Sequence, residues 1–294
     1  MNIQIENISK QFKDNKALDG VSLEIGEGIF GLLGENGAGK TTLMRILTTL
    51  IEPTDGNVII CGQKLCASNR EEIKKMIGYL PQELGLYPSL TVRETLDYIG
   101  GLCGLNSLER KARIDSLLEQ TNMQSHQNKK NRQLSGGMKR RVGLMQAMLT
   151  NPKVLIVDEP TTGLDPEERI RIRNLLVDFS KNRIVIFSTH VIEDLTATCL
   201  NLGVLKKGKV KYQGTIIDMM KKAEGHVFQT IAKDEMEMNE LKSRYSIVNS
   251  VFGEDGYKVK FISRNNPDLS DVINAEISLE DAYIFLNSIY DCEK

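Results

Sequence analysis

A glycine-rich turn that carries one lysine and one threonine is the stretch of the sequence best suited to bind phosphate. Residues 34–41 read Gly-Glu-Asn-Gly-Ala-Gly-Lys-Thr and match the pattern G-x-x-x-x-G-K-[ST]. Such a turn aims backbone N–H groups at a phosphate, and a helix that begins behind it adds partial positive charge. We expect Lys40 to reach the β- and γ-phosphate oxygens of a nucleotide and the Thr41 hydroxyl to ligate Mg²⁺.

Two adjacent carboxylates form a second candidate group. Asp158 and Glu159 end the apolar run 154–157, which is typical of a strand buried on both faces. Ligands of open α/β sheets bind at the carboxyl ends of such strands. We expect Asp158 to hold Mg²⁺, directly or through water, and Glu159 to act as general base for the attacking water. Alone, two acids at a strand end would indicate a solvated turn; the phosphate-binding turn in the same chain favours the catalytic interpretation.

A histidine ends the next strand-like run, 184–190, at the same predicted sheet edge. From there His190 can reach the γ-phosphate or hold the water in line. A single histidine is more often structural. Its predicted position beside Lys40 and Asp158 favours a role in the reaction.

The elements that must position these groups follow from hydrophobic periodicity. In the first 224 residues we predict strands within 1–26 and at 28–33, 154–157 and 183–187, helices at about 41–50, 91–121, 136–149 and 215–222, an exposed loop at 122–133, and a hairpin at 202–212. Gly100, Gly101 and Gly104 are the expected breaks in the second helix. The phosphate turn and the two catalytic strands then belong to one α/β domain.

The pattern changes after Gly225. Strands are predicted at 227–231, 247–252 and 257–262, and the turn 253–256 joins the last two as a hairpin. A cap at Ser278 opens a final helix that extends to residue 290. We therefore expect domain 1–224 to be followed by a small α+β domain, 225–294.

Composition limits the kinds of partner and the cellular location that can be expected for the chain. The 294 residues carry a net charge of -1, which leaves no basic excess for a nucleic-acid partner. No run approaches the roughly 20 apolar residues that span a bilayer, and the N-terminus lacks the apolar core of a signal peptide. The chain is expected to be cytoplasmic unless a partner brings it to a membrane. Its five scattered cysteines are expected to be reduced thiols, namely Cys61, Cys66, Cys103, Cys199 and Cys292.

A further motif, Leu134-Ser-Gly-Gly-Met138, resembles the LSGGQ signature of ABC-type ATPases, with Met138 in place of the usual glutamine. Together with the order of the other motifs, residues 1–220 look like the ATP-binding subunit of an ABC transporter. Within this resemblance Gln82 stands at the Q-loop, Asp165 at the D-loop and His190 at the switch position, and Phe12 stands where an aromatic ring, usually tyrosine, stacks on adenine.

The resemblance implies a P-loop NTPase core with antiparallel β and helical subdomains, the latter at about 84–150. ATP and Mg²⁺ are the implied cofactors. Catalysis is assigned to Glu159, His190 and Gln82, and Mg²⁺ binding to Thr41, Gln82 and Asp158. The implied ATP-binding residues are Phe12, Gly34, Glu35, Asn36, Gly37, Ala38, Gly39, Lys40, Thr41, Thr42, Ser135, Gly136, Gly137 and Asp165.

The signature residues imply a dimer. Ser135, Gly136 and Gly137 are predicted to open a helix and form a second anion-binding N-terminus. In the family they lie far from their own P-loop and close over the γ-phosphate of a second ATPase subunit, identical or paralogous, in a head-to-tail dimer with two ATP molecules. ATP binding then closes the dimer, and hydrolysis opens it.

The family also implies a permease on a separate chain, with this subunit peripheral on the inner face of the cell membrane. The loop 82–89 and helix 91–121 would transmit motion to it through apolar residues, namely Leu84, Leu86, Tyr87, Leu90 and Val92; ordinary core packing is an equally good interpretation of each. The tail 277–286 is similar to the P-x-L-E-D-x-F-x-x-L stretch of drug, antibiotic or polysaccharide exporters, although Ile277 replaces the proline. This similarity favours export.

Two other functions compete with a transport motor. A soluble ABC ATPase acting on ribosomes or DNA would usually have two cassettes or a long coiled coil, and the chain has one P-loop and no room for a coil. A small-molecule kinase would share the P-loop but does not account for residues 134–138.

Overall fold

The computed structural model describes residues 1–13, 15–269 and 271–290, and these residues form two compact units that divide between Gln213 and Gly214. The sequence placed the boundary later, between residues 224 and 225. The helix Ile216–Lys221 lies between the two positions, and it contacts the last helix of the second unit. The four described cysteines are free thiols; Cys292 lies outside the described residues.

The first unit contains ten strands, the last of which ends just past its boundary. They are β1 (Ile3–Phe12), β2 (Asn15–Ile25), β3 (Gly28–Leu33), β4 (Asp55–Ile60), β5 (Gln63–Lys64), β6 (Ile77–Leu80), β7 (Val154–Asp158), β8 (Ile184–Thr189), β9 (Asn201–Lys206) and β10 (Lys209–Thr215). Its helices are α1 (Lys40–Leu47), α2 (Arg70–Met76), α3 (Val92–Leu102), α4 (Ser107–Gln120), α5 (Gly136–Met148), α6 (Pro166–Phe179) and α7 (Ile192–Thr196).

Two sheets share one hydrophobic core. The antiparallel sheet has the strand order β2–β1–β4–β5, and the larger sheet has the order β10–β9–β3–β8–β7–β6. Within the larger sheet the pairs β9–β3, β3–β8, β8–β7 and β7–β6 are parallel. Every residue of β7 and β8 is buried, as their continuous apolar runs predicted. The core joins side chains of both sheets with those of α1, which confirms the predicted α/β class.

Helices α3, α4 and α5 contact one another and form the helical part of this unit. The expected break at Gly104 is confirmed, since this residue has a φ of 81° between α3 and α4. The breaks expected at Gly100 and Gly101 are wrong, because both residues lie inside α3. A Cβ at Gly100 would come within 2.7 Å of Arg110 on α4. The lack of a side chain at Gly100 therefore allows α4 to pack close to α3.

The segment 122–133 is more ordered than the exposed loop that its polarity predicted. It contains two short 3-10 helices, Gln124–His126 and Asn131–Gln133, and Asn131 is buried. The Asn131 amide donates to Tyr87 O at 2.9 Å and to Thr95 Oγ1 at 2.8 Å. Two hydrogen bonds thus satisfy the buried amide nitrogen of Asn131, whereas its Oδ1 has no hydrogen-bond partner among the described residues.

The second unit has an α+β fold. It contains α8 (Ile216–Lys221), β11 (Val227–Ala232), α9 (Glu235–Arg244), β12 (Ser246–Gly253), β13 (Gly256–Ile262), β14 (Ile273–Asn274) and α10 (Leu279–Tyr290). The sheet order is β12–β13–β11–β14, and β12 and β13 form the predicted hairpin. Helix α9 was missed from the sequence, because only Met238 and Leu241 of its ten residues are buried. No helix among the residues described here is long and apolar enough to cross a membrane.

A buried carboxylate fixes the start of α10. Asp281 Oδ2 accepts hydrogen bonds from Ser278 N at 2.7 Å and Ser278 Oγ at 2.8 Å, while Asp281 N donates to Ser278 Oγ at 3.2 Å. Lys260 of β13 completes the cluster with an ion pair of 2.5 Å to the same carboxylate. One side chain therefore caps the helix and ties it to the sheet.

We predict that Asp281→Ala destabilises the second unit by about 2 kcal/mol, because Lys260 loses its partner and Ser278 loses the carboxylate half of the capping box. Hydrogen–deuterium exchange of peptides from residues 256–290 measures the effect. The control is Glu280→Ala, since Glu280 is the exposed neighbour on the same helix. Equal protection in both variants would contradict the role of Asp281.

Candidate functional site

The glycine-rich turn lies between β3 and α1, where the sequence predicted it. Gly37 and Gly39 have φ angles of 81° and 106°, in the left-handed region that favours glycine. A Cβ at Gly39 would lie 2.7 Å from Ala17 O, and one at Gly34 would lie 2.4 Å from Leu205 O. The surrounding backbone therefore requires glycine at these positions, and the curled loop can cradle a phosphate.

Lys40 is buried beneath this loop. Its Nζ donates to Gly34 O at 2.6 Å and to Glu35 O at 3.1 Å, and it lies 3.7 Å from Glu159 Oε1. Burial lowers the pKa of Lys40, and the nearby charges of Glu159 and Asp158 oppose that effect. Its polar partners are two neutral carbonyls and one carboxylate, so phosphate oxygens fit the chemistry of this position.

The expected Mg²⁺ ligands Thr41 and Asp158 are in direct contact. Thr41 Oγ1 donates to Asp158 Oδ2 at 2.8 Å, and Ser188 Oγ donates to Asp158 Oδ1 at 2.5 Å. Among the described residues there is no group of three or more His, Cys, Asp or Glu suited to hold a metal. A hydroxyl and one carboxylate fit Mg²⁺, which keeps several waters and is usually shared with substrate phosphates.

Glu159 gathers the predicted catalytic residues. Its Oε1 lies 3.0 Å from His190 Nδ1, and its Oε2 accepts a 3.1 Å bond from Thr162 Oγ1. Gln82 Nε2 lies 3.5 Å from the same oxygen, the outer limit of a hydrogen bond. The amide nitrogen of Gln82 thus faces Glu159, and its assignment as a Mg²⁺ ligand stays a prediction. The structure brings Glu159, His190 and Gln82 together as expected.

The backbone at Glu159 is strained. Its φ of 48° is uncommon for a residue with a side chain, and such strain costs about 1–3 kcal/mol. Glu159 N donates both to Ser188 Oγ at 3.0 Å and to Ser188 O at 3.2 Å. Ser188, which pairs with Asp158 in the sheet register, was missed from the sequence. The sequence signal was a pair of hydroxyl residues, Ser188 and Thr189, at the end of an apolar run.

One cavity of about 640 Å³ joins most of these groups. Phe12 lies at its edge with 45% of its surface exposed, and the Lys10 ammonium lies 5.1 Å from its ring centroid. The lining residues are Phe12, Asn15, Lys16, Ala17, Glu35, Asn36, Gly37, Gly39, Lys40, Thr41, Thr42, Gln82, Glu159, Lys207 and Gly208. Sequence reasoning had not assigned Asn15, Lys16, Ala17, Lys207 or Gly208 to the site.

The turn at Lys207 and Gly208 lies against the glycine-rich loop. Gly208 N donates to Ala38 O, and Asp19 N donates to Gly208 O, both at 2.9 Å. Both turn residues have positive φ, as expected for a two-residue hairpin loop between β9 and β10. The hairpin predicted at 202–212 is confirmed, and its tip supports one wall of the cavity.

The signature residues do not line this cavity. Ser135 is the N-cap of α5 and its Oγ accepts a 3.3 Å bond from Met138 N, while Gly136 and Gly137 form the first turn of the helix. Glu168 of α6 lies against Gly137, where an added Cβ would come within 2.9 Å of it. The N-terminus of α5, whose first N–H groups are of the kind that can bind an anion, thus lies outside the P-loop cavity of its own chain.

Asp165 is also outside the cavity and is the N-cap of α6. The segments on either side of Asp165 are held together by Asp194 of α7. The side chain of Asp194 has no exposed surface. Asp194 accepts hydrogen bonds from Thr161 Oγ1 at 2.6 Å, Arg169 Nη2 at 3.1 Å and Arg173 Nη1 at 3.0 Å. The segment after β7 and the helices that follow the D-loop and His190 therefore form one rigid cluster.

The apolar residues expected to transmit motion have different environments. Val92 is in the core, and Leu84 contacts α5, since a Cβ at Gly143 would lie 2.6 Å from its side chain. Tyr87 is 53% exposed and makes an edge-on contact with the exposed ring of Tyr98 on α3. Of these three residues, Tyr87 has the most exposed side chain, Leu84 is partly exposed and Val92 is buried.

Comparison with known proteins identifies relatives of a single family. Residues 18–162 match the family described as ABC transporter. The methionine import ATP-binding protein MetN of Halalkalibacterium halodurans is 34% identical over 274 residues, covering 87% of this chain and 81% of the relative. The Nod factor export ATP-binding protein I of Burkholderia thailandensis is 33% identical over 258 residues, covering 86% and 84%.

A similar solved structure is a dimer of the ATP-binding cassette MJ0796, in a post-hydrolysis state bound to ADP and Pi. It matches with a TM-score of 0.66 and 28% identity, covering 72% of this chain and 98% of the cassette. Both the sequence relatives and this structure agree with the fold described above.

We predict that Gly39→Ala weakens nucleotide binding about 10–100-fold, because the new Cβ collides with Ala17 O and the residue must leave its left-handed conformation. Titration with a fluorescent ATP analogue measures the change. Gly62→Ala is the matched control: its φ is 82°, but open space surrounds the new Cβ, and it lies outside the cavity. If Gly39→Ala bound the analogue as tightly as this control, the loop geometry would not set affinity.

Proposed function

The chain belongs to the ATP-binding proteins of the ABC transporter family and is an ATPase, and from that premise we propose that it works as a head-to-tail dimer that drives a separate membrane permease. One observation carries the proposal. A single cavity joins the phosphate loop and Lys40 to Glu159, and Glu159 in turn contacts His190 and Gln82. This arrangement provides both the binding and the hydrolytic half of one nucleotide site.

When bound, Mg²⁺·ATP supplies the γ-phosphoryl group that water attacks. The loop 34–39 and Lys40 hold the phosphates, and Thr41 and Asp158 hold the metal. Glu159 takes the proton of the attacking water. His190 and Gln82 orient the Glu159 carboxylate through the contacts at 3.0 Å and 3.5 Å. Phe12 lies at the cavity edge, where its ring can stack on adenine.

The second half of each site is proposed to come from a second subunit, identical or paralogous. Ser135, Gly136 and Gly137 lie outside their own cavity but carry the N–H groups of a helix N-terminus. In a head-to-tail dimer they close over the γ-phosphate held by the partner, and Asp165 lies at the same interface. ATP thus favours the closed dimer by binding both halves.

We assign the permease contact to the exposed tyrosine pair, Tyr87 and Tyr98, beside the segment that holds Gln82. Aromatic residues are enriched in binding interfaces because they bury a large area. Docking there places the subunit on the inner face of the membrane. The tail 277–286 supports export as the direction of transport, since Leu279, Glu280 and Asp281 match the exporter stretch.

We predict that Glu159→Gln binds ATP but hydrolyses it at least about 100-fold more slowly, because the amide cannot accept the water proton. ATP should then accumulate a stable dimer, which size-exclusion chromatography with light scattering detects. The control is the double variant Glu159→Gln/Ser135→Arg, which should bind ATP as a monomer because the arginine blocks only the surface that faces the partner.

Two outcomes would contradict these assignments. Rapid turnover by Glu159→Gln would remove Glu159 as the base. Dimerisation of the double variant with unchanged ATP dependence would show that the signature residues do not close the partner site.

The transport role is tested by affinity purification of the tagged chain from its native host in mild detergent, with mass spectrometry of the partners. We expect a polytopic membrane protein, and Tyr87→Ala/Tyr98→Ala should reduce its recovery while ATP hydrolysis by the purified subunit persists. Recovery of ribosomes, nucleic acid or soluble assembly factors without a membrane protein would instead support the soluble ABC ATPase and refute the transport role.

A further inference from the structure

One buried arginine of α5 bonds backbone carbonyls with its whole guanidinium group. Arg140 is 7% exposed and lies five residues after Ser135. A guanidinium has five N–H donors, and here all five have acceptors. Nε donates to Pro160 O at 3.1 Å, Nη1 to Pro81 O and Gln82 O at 2.9 Å each, and Nη2 to Asp158 O at 2.5 Å and Glu159 O at 2.8 Å.

These five carbonyls belong to two segments that follow neighbouring strands. Pro81 and Gln82 follow β6, and residues 158–160 end and follow β7. The two strands pair in parallel as far as Leu80 and Val157. Beyond that point the strands no longer pair, and hydrogen bonds from the Arg140 guanidinium hold the two backbone segments at a fixed separation. The side chains of Gln82 and Glu159 meet just past this clamp.

The chemistry of the clamp requires an arginine. Burial lowers the pKa of Arg140 to about 10, and the nearby charges of Asp158 and Glu159 oppose that effect. No carboxylate in the described chain forms an ion pair with it, so its charge is stabilised by carbonyl dipoles and by the field of these two acids. A lysine offers three donors from one atom and a glutamine offers two, so neither can bridge both segments as a planar fork does.

The clamp also connects the catalytic residues to the signature helix. At about 1.5 Å of rise per residue, Arg140 lies roughly 7–8 Å along the helix axis from Ser135. Because a helix is stiff over this length, a displacement of Ser135 to Gly137 moves the guanidinium, and the guanidinium moves the carbonyls of Gln82 and Glu159. No other side-chain hydrogen bonds in the described structure link α5 to both of these segments at once.

We propose that Arg140 is a positioning residue for hydrolysis: it sets Glu159 and Gln82 relative to each other and transmits contact at the signature residues to them. This inference rests on the proposed function, in which the signature contacts the partner's nucleotide. The guanidinium does not touch the reacting atoms. Its effect is on the placement of the base, so it concerns the rate of the chemical step and not the affinity for ATP.

The test is steady-state ATP hydrolysis by the full-length Arg140→Gln variant. We expect kcat to fall about 10–100-fold, the cost typical of a misplaced catalytic group, while KM for ATP stays within about twofold. In the Glu159→Gln background, Arg140→Gln should still form the ATP-dependent dimer. Hydrogen–deuterium exchange should increase in peptides that cover residues 81–83 and 158–162. A merely structural role would lower ATP affinity, dimer formation and turnover together.

Arg113→Gln is the matched control. Arg113 also donates to two α5 carbonyls, Met148 O at 2.9 Å and Leu149 O at 3.2 Å, but at the end of the helix remote from the site. Burial lowers the pKa of Arg113 as well. This variant removes a half-buried guanidinium of α4 that bonds the far end of α5, without touching the clamp, so its kcat should stay within about twofold of wild type.

Arg140→Lys provides a second variant that keeps the charge and part of the bonding. We expect an intermediate kcat, and this variant carries the test if Arg140→Gln does not fold. A wild-type kcat in Arg140→Gln would overturn the proposal. If Arg140→Gln does not fold, a wild-type kcat in Arg140→Lys would overturn it. So would equal losses in Arg140→Gln and Arg113→Gln. Failure of Glu159→Gln alone to dimerise with ATP would instead count against the proposed dimer, independently of the clamp.

Discussion

The carboxylate of Asp158 has no exposed surface, and the rest of the site depends on how the protein satisfies it. A buried charge without partners would cost several kcal/mol. Thr41 at the start of α1 and Ser188 on β8 supply the two hydroxyl donors, from opposite sides of the carboxylate. The P-loop helix, β7 and β8 are consequently held in register around one side chain. The position of the phosphate loop relative to the two catalytic strands follows from this contact.

The strained residue Glu159 comes directly after this fixed point. Its left-handed backbone is held by Ser188 on one side and by the guanidinium of Arg140 on the other. Asp194 then immobilises Thr161 and the two helices that follow the D-loop and His190. The polar contacts of Asp158, Glu159 and Thr161 thus determine the orientation of the Glu159 carboxylate. Hydrophobic packing alone places strands, but it does not orient a carboxylate to this degree.

Much of this site could be predicted from the sequence, because its signals are local. The phosphate loop, β7, β8 and the hairpin at Lys207 each carry their pattern within about ten residues, the range over which turn chemistry and periodicity act. The cavity residues Asn15 to Ala17 and the clamp of Arg140 could not be predicted, since they depend on contacts between segments far apart in sequence. Gly100 was misread for the same reason: a glycine that lets a neighbouring helix approach closely looks, in the sequence alone, like a helix breaker. Helix α9 carries too few apolar residues to be recognised by periodicity.

The hydrogen bonds from Lys40 to Gly34 O and Glu35 O also bear on which nucleotides the protein can select. The ammonium of Lys40 already has hydrogen-bond acceptors in its own loop. A ligand must therefore provide stronger acceptors than these two carbonyls to displace them. Ionised phosphate oxygens are stronger hydrogen-bond acceptors than neutral carbonyls, so a phosphate group at this position can displace Gly34 O and Glu35 O from the ammonium. A ligand that brings no negative charge to Lys40 cannot. The loop carbonyls therefore act as competitors that make charge, and not only shape, a condition for binding.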